Sequence, residues 1–214
     1  EIKIRIDNDK IFEKEIDLIV TCAYAQILPI SILSHPKIAS INVHASLLPY
    51  LRGGAPIHHA IIDGYNETGI TIMYMDVGMD DGDIIEQEKI DISNDMNVGE
   101  LHDKLSVLGK DLLLKTLPSI IDGTNKRAKQ DESKVSFAKI IKREDELIDF
   151  NDSTKNVYNK IRGLSPYPCS YTIINNKVFK IYESEIGNSK SNGQPGEIIN
   201  LYKNGIGIKT SDDL

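Results

Sequence analysis

Residues 41–57, INVHASLLPYLRGGAPI, constrain the fold more than any other stretch of the chain. They open as a short apolar strand, and because strand side chains alternate faces, Asn42 and His44 share one side of it. Ser46, Leu47, Leu48 and Pro49 follow, and then Arg52, Gly53 and Gly54, where glycine lets backbone approach a ligand closely. Pro56 stands where a fixed φ suits the first turn of a helix. Strand, loop and helix in this order are the arrangement in which an open α/β sheet presents a site beyond the carboxyl ends of its strands. An amide and a titratable imidazole on one face make that end the candidate reaction centre.

The neighbouring segments extend this pattern. Asp17 to Thr21 form a continuous apolar run, read as a parallel strand buried on both faces, and a mixed opening with Ile2, Ile4 and Ile6 in alternation suggests another. Gln26, Ile27 and Leu28 form the loop after the apolar run, with a short helix from Pro29 to Leu33. Residues 69–75 alternate Thr71, Met73 and Met75 against Ile70, Ile72 and Tyr74, a strand with two distinct faces. Beyond it, Asp76, Gly78, Asp80, Asp81 and Asp83 make an acidic loop that returns into a strand over 84–90. A calcium loop is not expected there, because the bidentate Glu that such a loop requires is out of register. Asn97 and Glu100 have capping-box spacing, and Leu101, Leu105, Leu108 and Leu112 recur as a helical core stripe. Pro118 is expected to kink the last turns, and Gly123 to end them.

The 214 residues accommodate one large domain or a large and a small one, and 40% apolar content suffices for a core. With 25 basic and 32 acidic residues the net charge is −7, which excludes a broad basic field for nonspecific nucleic-acid binding. Any RNA contact must be local. Lys126, Arg127 and Lys129 open the basic run of the chain, which reaches Arg143 with only Asp131 and Glu132 interrupting it. Cys22 and Cys169 lie far apart and give no disulfide framework or metal spacing, which fits a reducing compartment. No apolar run approaches the ~20 residues that cross a bilayer. From about residue 140 the pattern changes: Asp152 or Ser153 caps a helix through Arg162 with Gly163 as its stop. Short strands at 171–174, 177–182, 197–202 and 205–209 follow, with Asn175-Asn176 as a hairpin turn. The chain opens at Glu1 and closes on a strand-like stretch, so both ends read as cut.

Taken together, Asn42-x-His44, SLLP, RGGAPIH and the loop Gly78-Met79-Asp80-Asp81-Gly82-Asp83 resemble the methionyl-tRNA formyltransferases. The sparser pattern of Asn, His, SLLP and Asp is similar to folate-dependent formyltransferases more widely. The resemblance implies an α/β fold: a Rossmann-like parallel-sheet formyltransferase domain over 1–123, incomplete at its N-terminus, a basic interdomain linker over 124–139, and part of a small OB-like β-barrel over 140–214. It implies transfer of a formyl group from 10-formyltetrahydrofolate, without a metal, to the amino group of methionyl initiator tRNA. Asn42, His44 and Asp80 are the implied catalytic residues. Gln26, Ile27, Leu28, Ser46, Leu47, Leu48, Pro49, Asp76, Gly78 and Asp83 are the implied folate contacts, and Arg52, Lys126, Arg127 and Lys129 the implied tRNA contacts. A monomer in the bacterial cytoplasm, or in an organelle if a targeting segment precedes it, completes the expectation. The alternatives are another folate-dependent formyltransferase, acting on a glycinamide nucleotide or an amino sugar, and a catalytically inert folate- or RNA-binding fragment.

Overall fold

The computed structural model describes residues 8–24, 26–187 and 192–212. The expected opening strand through Ile2, Ile4 and Ile6 lies outside them. In chain order the helices are α1 (Asn8–Phe12), α2 (Ile30–Leu33), α3 (Pro56–Ile62), α4 (Val98–Ile121) and α5 (Thr154–Leu164). The strands are β1 (Leu18–Cys22), β2 (Ala39–His44), β3 (Arg52–Gly53), β4 (Glu67–Tyr74), β5 (Ile84–Asp91), β6 (Phe137–Ala138), β7 (Ser170–Ile174), β8 (Lys177–Ile181), β9 (Ile198–Tyr202) and β10 (Gly205–Ile208). The chain divides into two compact units, the first made of Glu1–Gly54, Gly69–Ile90 and Leu105–Ala138, the second of Ala55–Thr68, Asp91–Lys104 and Lys139–Leu214. Among the described residues, no helix is long and apolar enough to cross a membrane.

The first unit is built on a sheet of order β1-β2-β4-β5. β1 and β2 are parallel, but β2 and β4 are antiparallel, so the Rossmann-like sheet is mixed rather than parallel throughout. β4 is buried along most of its length, and a strand covered on both faces reads as the same apolar run whichever way its partner points. The run read as buried on both faces, β1, is instead half open: Val20 and Cys22 are exposed, because β1 is the end strand of the described sheet. On one face Val43 and Ile70 lie against α4, where a Cβ on Gly109 would stand 3.3 Å from Val43 Cγ1. Leu105 and Leu112 are buried along that helix. Asn97 and Glu100 form the capping box reciprocally, each side chain accepting the other's backbone N–H at 3.0 Å. Pro118 is carried inside α4, which runs on to Ile121, and Gly123 follows with φ +66°.

After α4 the chain returns to the same unit. Ala128 and Ile84 exchange backbone hydrogen bonds at 2.8 and 2.9 Å, and β6 pairs in parallel with β3, Arg52 opposite Phe137 and Gly53 opposite Ala138. The basic stretch is therefore anchored at both ends of its first half.

The second unit follows its sequence signals closely, with small antiparallel sheets of the kind expected for an OB-like domain. β7 and β8 pair through the two-residue turn Asn175-Asn176, with φ +50° and +60°, and β9 pairs with β10. Ile148, Val157 and Ile161 form a core against Phe150 and Ile181. Ser153 caps α5 by accepting the Asn156 N–H at 3.2 Å. Gly163 has a different role from the expected one: it does not stop the helix, which runs to Leu164, but lies where α3 and α5 pack together. A Cβ there would meet Ile62 Cγ1 at 2.6 Å and the Ile62 backbone nitrogen at 3.2 Å, so only glycine fits without displacement. Gly163→Val should therefore lower the unfolding free energy by about 1–3 kcal/mol, read as a reduced urea midpoint, and a midpoint equal to that of the parent chain would refute this packing role.

Candidate active site

β2 ends at His44, and the antiparallel register puts Thr71 opposite His44 and Met73 opposite Asn42. This is the sheet face away from Val43. Asn42 is oriented from the neighbouring strand, since the Thr21 hydroxyl donates to its Oδ1 at 2.9 Å. That leaves Nδ2 as the end of the amide that can donate elsewhere. Thr21 Oγ1 also lies 3.2 Å from Met75 Sδ, and Met75 packs on the Leu28, Ile32 and Leu33 cluster, so the loop after β1 and Asn42 adjoin one another.

His44 is buried, and its ring has a defined tautomer. Nε2 lies 3.1 Å from the Leu51 carbonyl, which can only accept, so Nε2 carries the hydrogen and Nδ1 the lone pair. Nδ1 faces Asp80 Oδ2 at 3.7 Å. That is too long for a hydrogen bond. Burial pushes the imidazole below its ordinary value of 6.5, while the Asp80 carboxylate and the Leu51 carbonyl act against that shift. His44 is thus held toward its neutral form by burial, beside a carboxylate that favours the imidazolium once a proton is taken up.

Asp80 is held from both ends. Its Oδ2 accepts the Gly53 N–H at 2.8 Å, and its backbone is in the left-handed region at φ +52°. Gly53 has φ +117°, and a Cβ there would lie 2.7 Å from the Ala138 carbonyl, which accounts for a glycine at this point of the loop. Gln130 donates from Nε2 to the carbonyls of Asp80 at 2.8 Å and Gly82 at 2.9 Å. Its Oε1 accepts from Arg52 Nε at 3.0 Å and Nη2 at 2.8 Å, and Arg52 Nη2 also reaches Glu132 Oε1 at 2.7 Å.

The other expected residues are placed unevenly. Ser46 and Leu48 are buried and bonded internally: Ser46 Oγ donates to the Tyr50 carbonyl at 2.6 Å, and Leu48 N–H donates to Thr71 Oγ1 at 3.1 Å. Gln87 Nε2 donates to the Leu48 carbonyl at 2.9 Å, so Thr71 and Gln87 together fix this loop on the sheet. Leu47 lies over Gly69 and Pro49 is half-buried. Leu28 belongs to the core, while Gln26 and Ile27 are exposed. Asp76 and Gly78 are exposed, and Asp76 Oδ1 accepts the Val77 N–H. Asp83 is half-buried and pairs with Arg127 Nε at 3.3 Å, and the Arg127 guanidinium stacks 3.9 Å from the Tyr74 ring centroid. Lys126 and Lys129 are exposed. Arg52, in contrast, is 5% exposed and directed into the Gln130–Glu132 network, a geometry that suits an internal tie rather than a contact with an RNA backbone. Sequence reasoning did not single out Thr21, Gln87 or Gln130, which carry no local signal. Thr71 was visible only as one face of an alternating strand.

Two family models match: "Formyl transferase" over residues 7–117 and "Formyl transferase, C-terminal domain" over residues 140–214. The chain belongs to the formyl transferase family. It is 52% identical over 205 residues to a methionyl-tRNA formyltransferase of Staphylococcus aureus, covering 96% of this chain and 66% of that protein, so it spans just under two thirds of the relative's length. Solved formyltransferases share the fold. A sugar 3-N-formyltransferase, WlaRD, determined with dTDP and 5-N-formyl-THF, superposes with a TM-score of 0.72 at 25% identity, covering 92% of this chain and 72% of that one. An N-formyltransferase from Helicobacter canadensis in complex with folinic acid and dTDP-3-aminofucose gives 0.76 at 22% identity, covering 97% and 75%.

The depressed His44 value also makes a stability statement about this formyl transferase family member. The unfolded chain takes up the proton as pH falls below 6.5, before the folded chain does, so this contribution to stability is present above 6.5 and declines as pH falls toward the lower folded value. Urea midpoints at about pH 7.5 and about pH 5.5 should therefore differ less in His44→Gln than in the parent chain, and an equal difference in both would show that His44 does not contribute.

Proposed function

We propose that the chain transfers a formyl group from 10-formyltetrahydrofolate to the amino group of methionyl initiator tRNA, in the bacterial cytoplasm, for the initiation of translation. The observation that carries this reading is the buried, neutral His44 with Nδ1 turned toward the Asp80 carboxylate, on the same strand face as an amide whose orientation Thr21 fixes. The 52% identity to a methionyl-tRNA formyltransferase favours a tRNA acceptor over an amino sugar.

Formyl transfer needs a base for the attacking amine, a donor for the carbonyl oxygen and a proton for the departing nitrogen. Asn42 Nδ2 donates to the formyl oxygen as negative charge gathers there. As the amine nitrogen bonds to the formyl carbon it becomes acidic, and His44 Nδ1 accepts its proton. The resulting imidazolium is stabilised by Asp80, and Nε2 stays on the Leu51 carbonyl throughout. His44 then returns the proton to N10 of the folate as the C–N bond breaks. The net change is one C–N bond exchanged for another and one proton moved between two nitrogens, which leaves the enzyme unchanged. For the folate itself, the exposed apolar Ile27, Val77 and Met79 suit an aromatic ring system, and Met79 directly precedes Asp80 in the chain. Lys126 and Lys129, together with Arg127 beside Asp83, offer phosphate contacts along the basic stretch.

Asn42→Ala, His44→Ala and Asp80→Ala should each lower kcat/KM for formylation by on the order of 10²–10⁴ while the far-UV circular dichroism at about 25 °C stays that of the folded parent. An active His44→Ala protein, or a chain that formylates an amino sugar nucleotide in preference to methionyl tRNA, would overturn the reading. Replacing Lys126 and Lys129 with Gln should weaken tRNA binding and flatten the dependence of log K on log salt by about two, and an unchanged slope would remove these residues from the RNA contact.

A further inference from the structure

Gln130 lies 50 residues from Asp80 in sequence and in none of the motifs that define the site, yet every hydrogen-bonding position of its amide is used. Nε2 donates to the carbonyls of Asp80 and Gly82, which bracket Asp81, and Oε1 accepts two bonds from Arg52. A guanidinium has no acceptor and a carbonyl no donor, so turning the amide over would break all four contacts. Arg52 is itself buried and braced on Glu132, which gives the amide a fixed backing. On the other side, the carboxylate of Asp80 is held by the Gly53 N–H and faces His44. The loop is thus fixed at its backbone by one contact and at its side chain by the other, and Asp80 keeps a left-handed φ between them.

We propose that Gln130, oriented by Arg52, is a positioning residue for formyl transfer: it holds the backbone of Asp80 where the carboxylate meets His44. The inference rests on the proposed roles of His44 and Asp80. Without Gln130, two loop carbonyls lose their donors, the loop relaxes, and the carboxylate moves away from the imidazole.

Two variants and one control test this. Gln130→Leu keeps the side chain's approximate size and removes all four bonds. Gln130→Glu keeps the shape and the contact with Arg52 but sets carboxylate oxygens against the two carbonyls. Asp80→Asn is the control, and Asp80→Asn/Gln130→Leu completes a cycle. The readouts are kcat and KM for methionyl initiator tRNA with 10-formyltetrahydrofolate, and the titration of His44 followed by the ¹⁵N shifts of its ring, which does not depend on turnover. Both Gln130 variants should lower kcat by about ten- to a hundredfold with KM within about twofold. The His44 titration should move to lower pH, as in Asp80→Asn, because burial then acts on the imidazole with less opposition from the carboxylate. In the Asp80→Asn background, Gln130→Leu should change kcat by less than about twofold.

If Asp80→Asn shifts the titration while Gln130→Leu and Gln130→Glu leave both kcat and titration at parent values, the positioning role is overturned and the catalytic reading stands. A fully additive loss in the double variant also overturns it, since Gln130 would then act through something other than Asp80. An Asp80→Asn protein with unchanged rate and titration overturns the catalytic reading, and this inference with it.

Discussion

A carboxylate held beside a buried, uncharged imidazole is an arrangement that relaxes unless something opposes it. Water would solvate Asp80 if its loop could open, and burial would then act on His44 with only the Leu51 carbonyl opposing it. In the first unit, the Gly53 N–H takes the carboxylate, Gln130 takes the backbone, and the Leu51 carbonyl fixes the ring from its far side. These contacts come from two parts of the chain, the loop at Leu51 and Gly53 and the stretch at Gln130, and each depends on a neighbour already in place: Leu51 on Ser136, Gly53 on its pairing with Ala138, and Gln130 on Arg52. For the proposed transfer, pre-organisation of this kind keeps the cost of ordering out of the reaction step.

The same logic explains the strand face beneath the site. Thr71 is opposite His44, and its hydroxyl donates to the Ser46 carbonyl at 2.6 Å while accepting from Leu48 N–H and Gln87 Nε2. A buried hydroxyl with its donor and acceptor capacity filled rigidifies what surrounds it. Here that is the SLLP turn, which explains why residues expected to touch a ligand are largely occupied with the protein itself.

Local chemistry was legible in the sequence, and distant pairing was not. The Asn97–Glu100 box, the Asn175-Asn176 turn and proline at the start of α3 all rest on contacts within a few residues, so residue type and spacing are sufficient. The two faces of β4 were also readable, because alternation survives whatever the partner strand. The direction of β4 against β2 was not, since burial on both faces erases the difference between parallel and antiparallel neighbours. Gly163 reads in sequence as a helix stop because glycine serves ends and close packing alike, and only the position of Ile62 distinguishes the two. Arg52 in sequence offers a cation beside two glycines, and in the fold its guanidinium meets Glu132, 80 residues along the chain, a pairing that no local signal carries. Asn42, His44 and Asp80 could be named from motifs, but their alignment depends on Gln130 and Gly53, which motifs do not describe.

The pairing of β3 with β6 also bears on the order in which the molecule comes together. Arg52 and Gly53 find their partners at Phe137 and Ala138, and the Leu51 N–H finds Ser136 Oγ across 85 positions. Contacts of such long sequence separation form late, after the chain has closed large loops. On the ribosome, a nascent chain with Asn42, His44 and Asp80 already outside the exit tunnel would still lack the strand that seats Gly53 and the amide that seats Asp80. Its chemical groups would be present before they were aligned, so competence would arrive only when the stretch through Ala138 had emerged and docked.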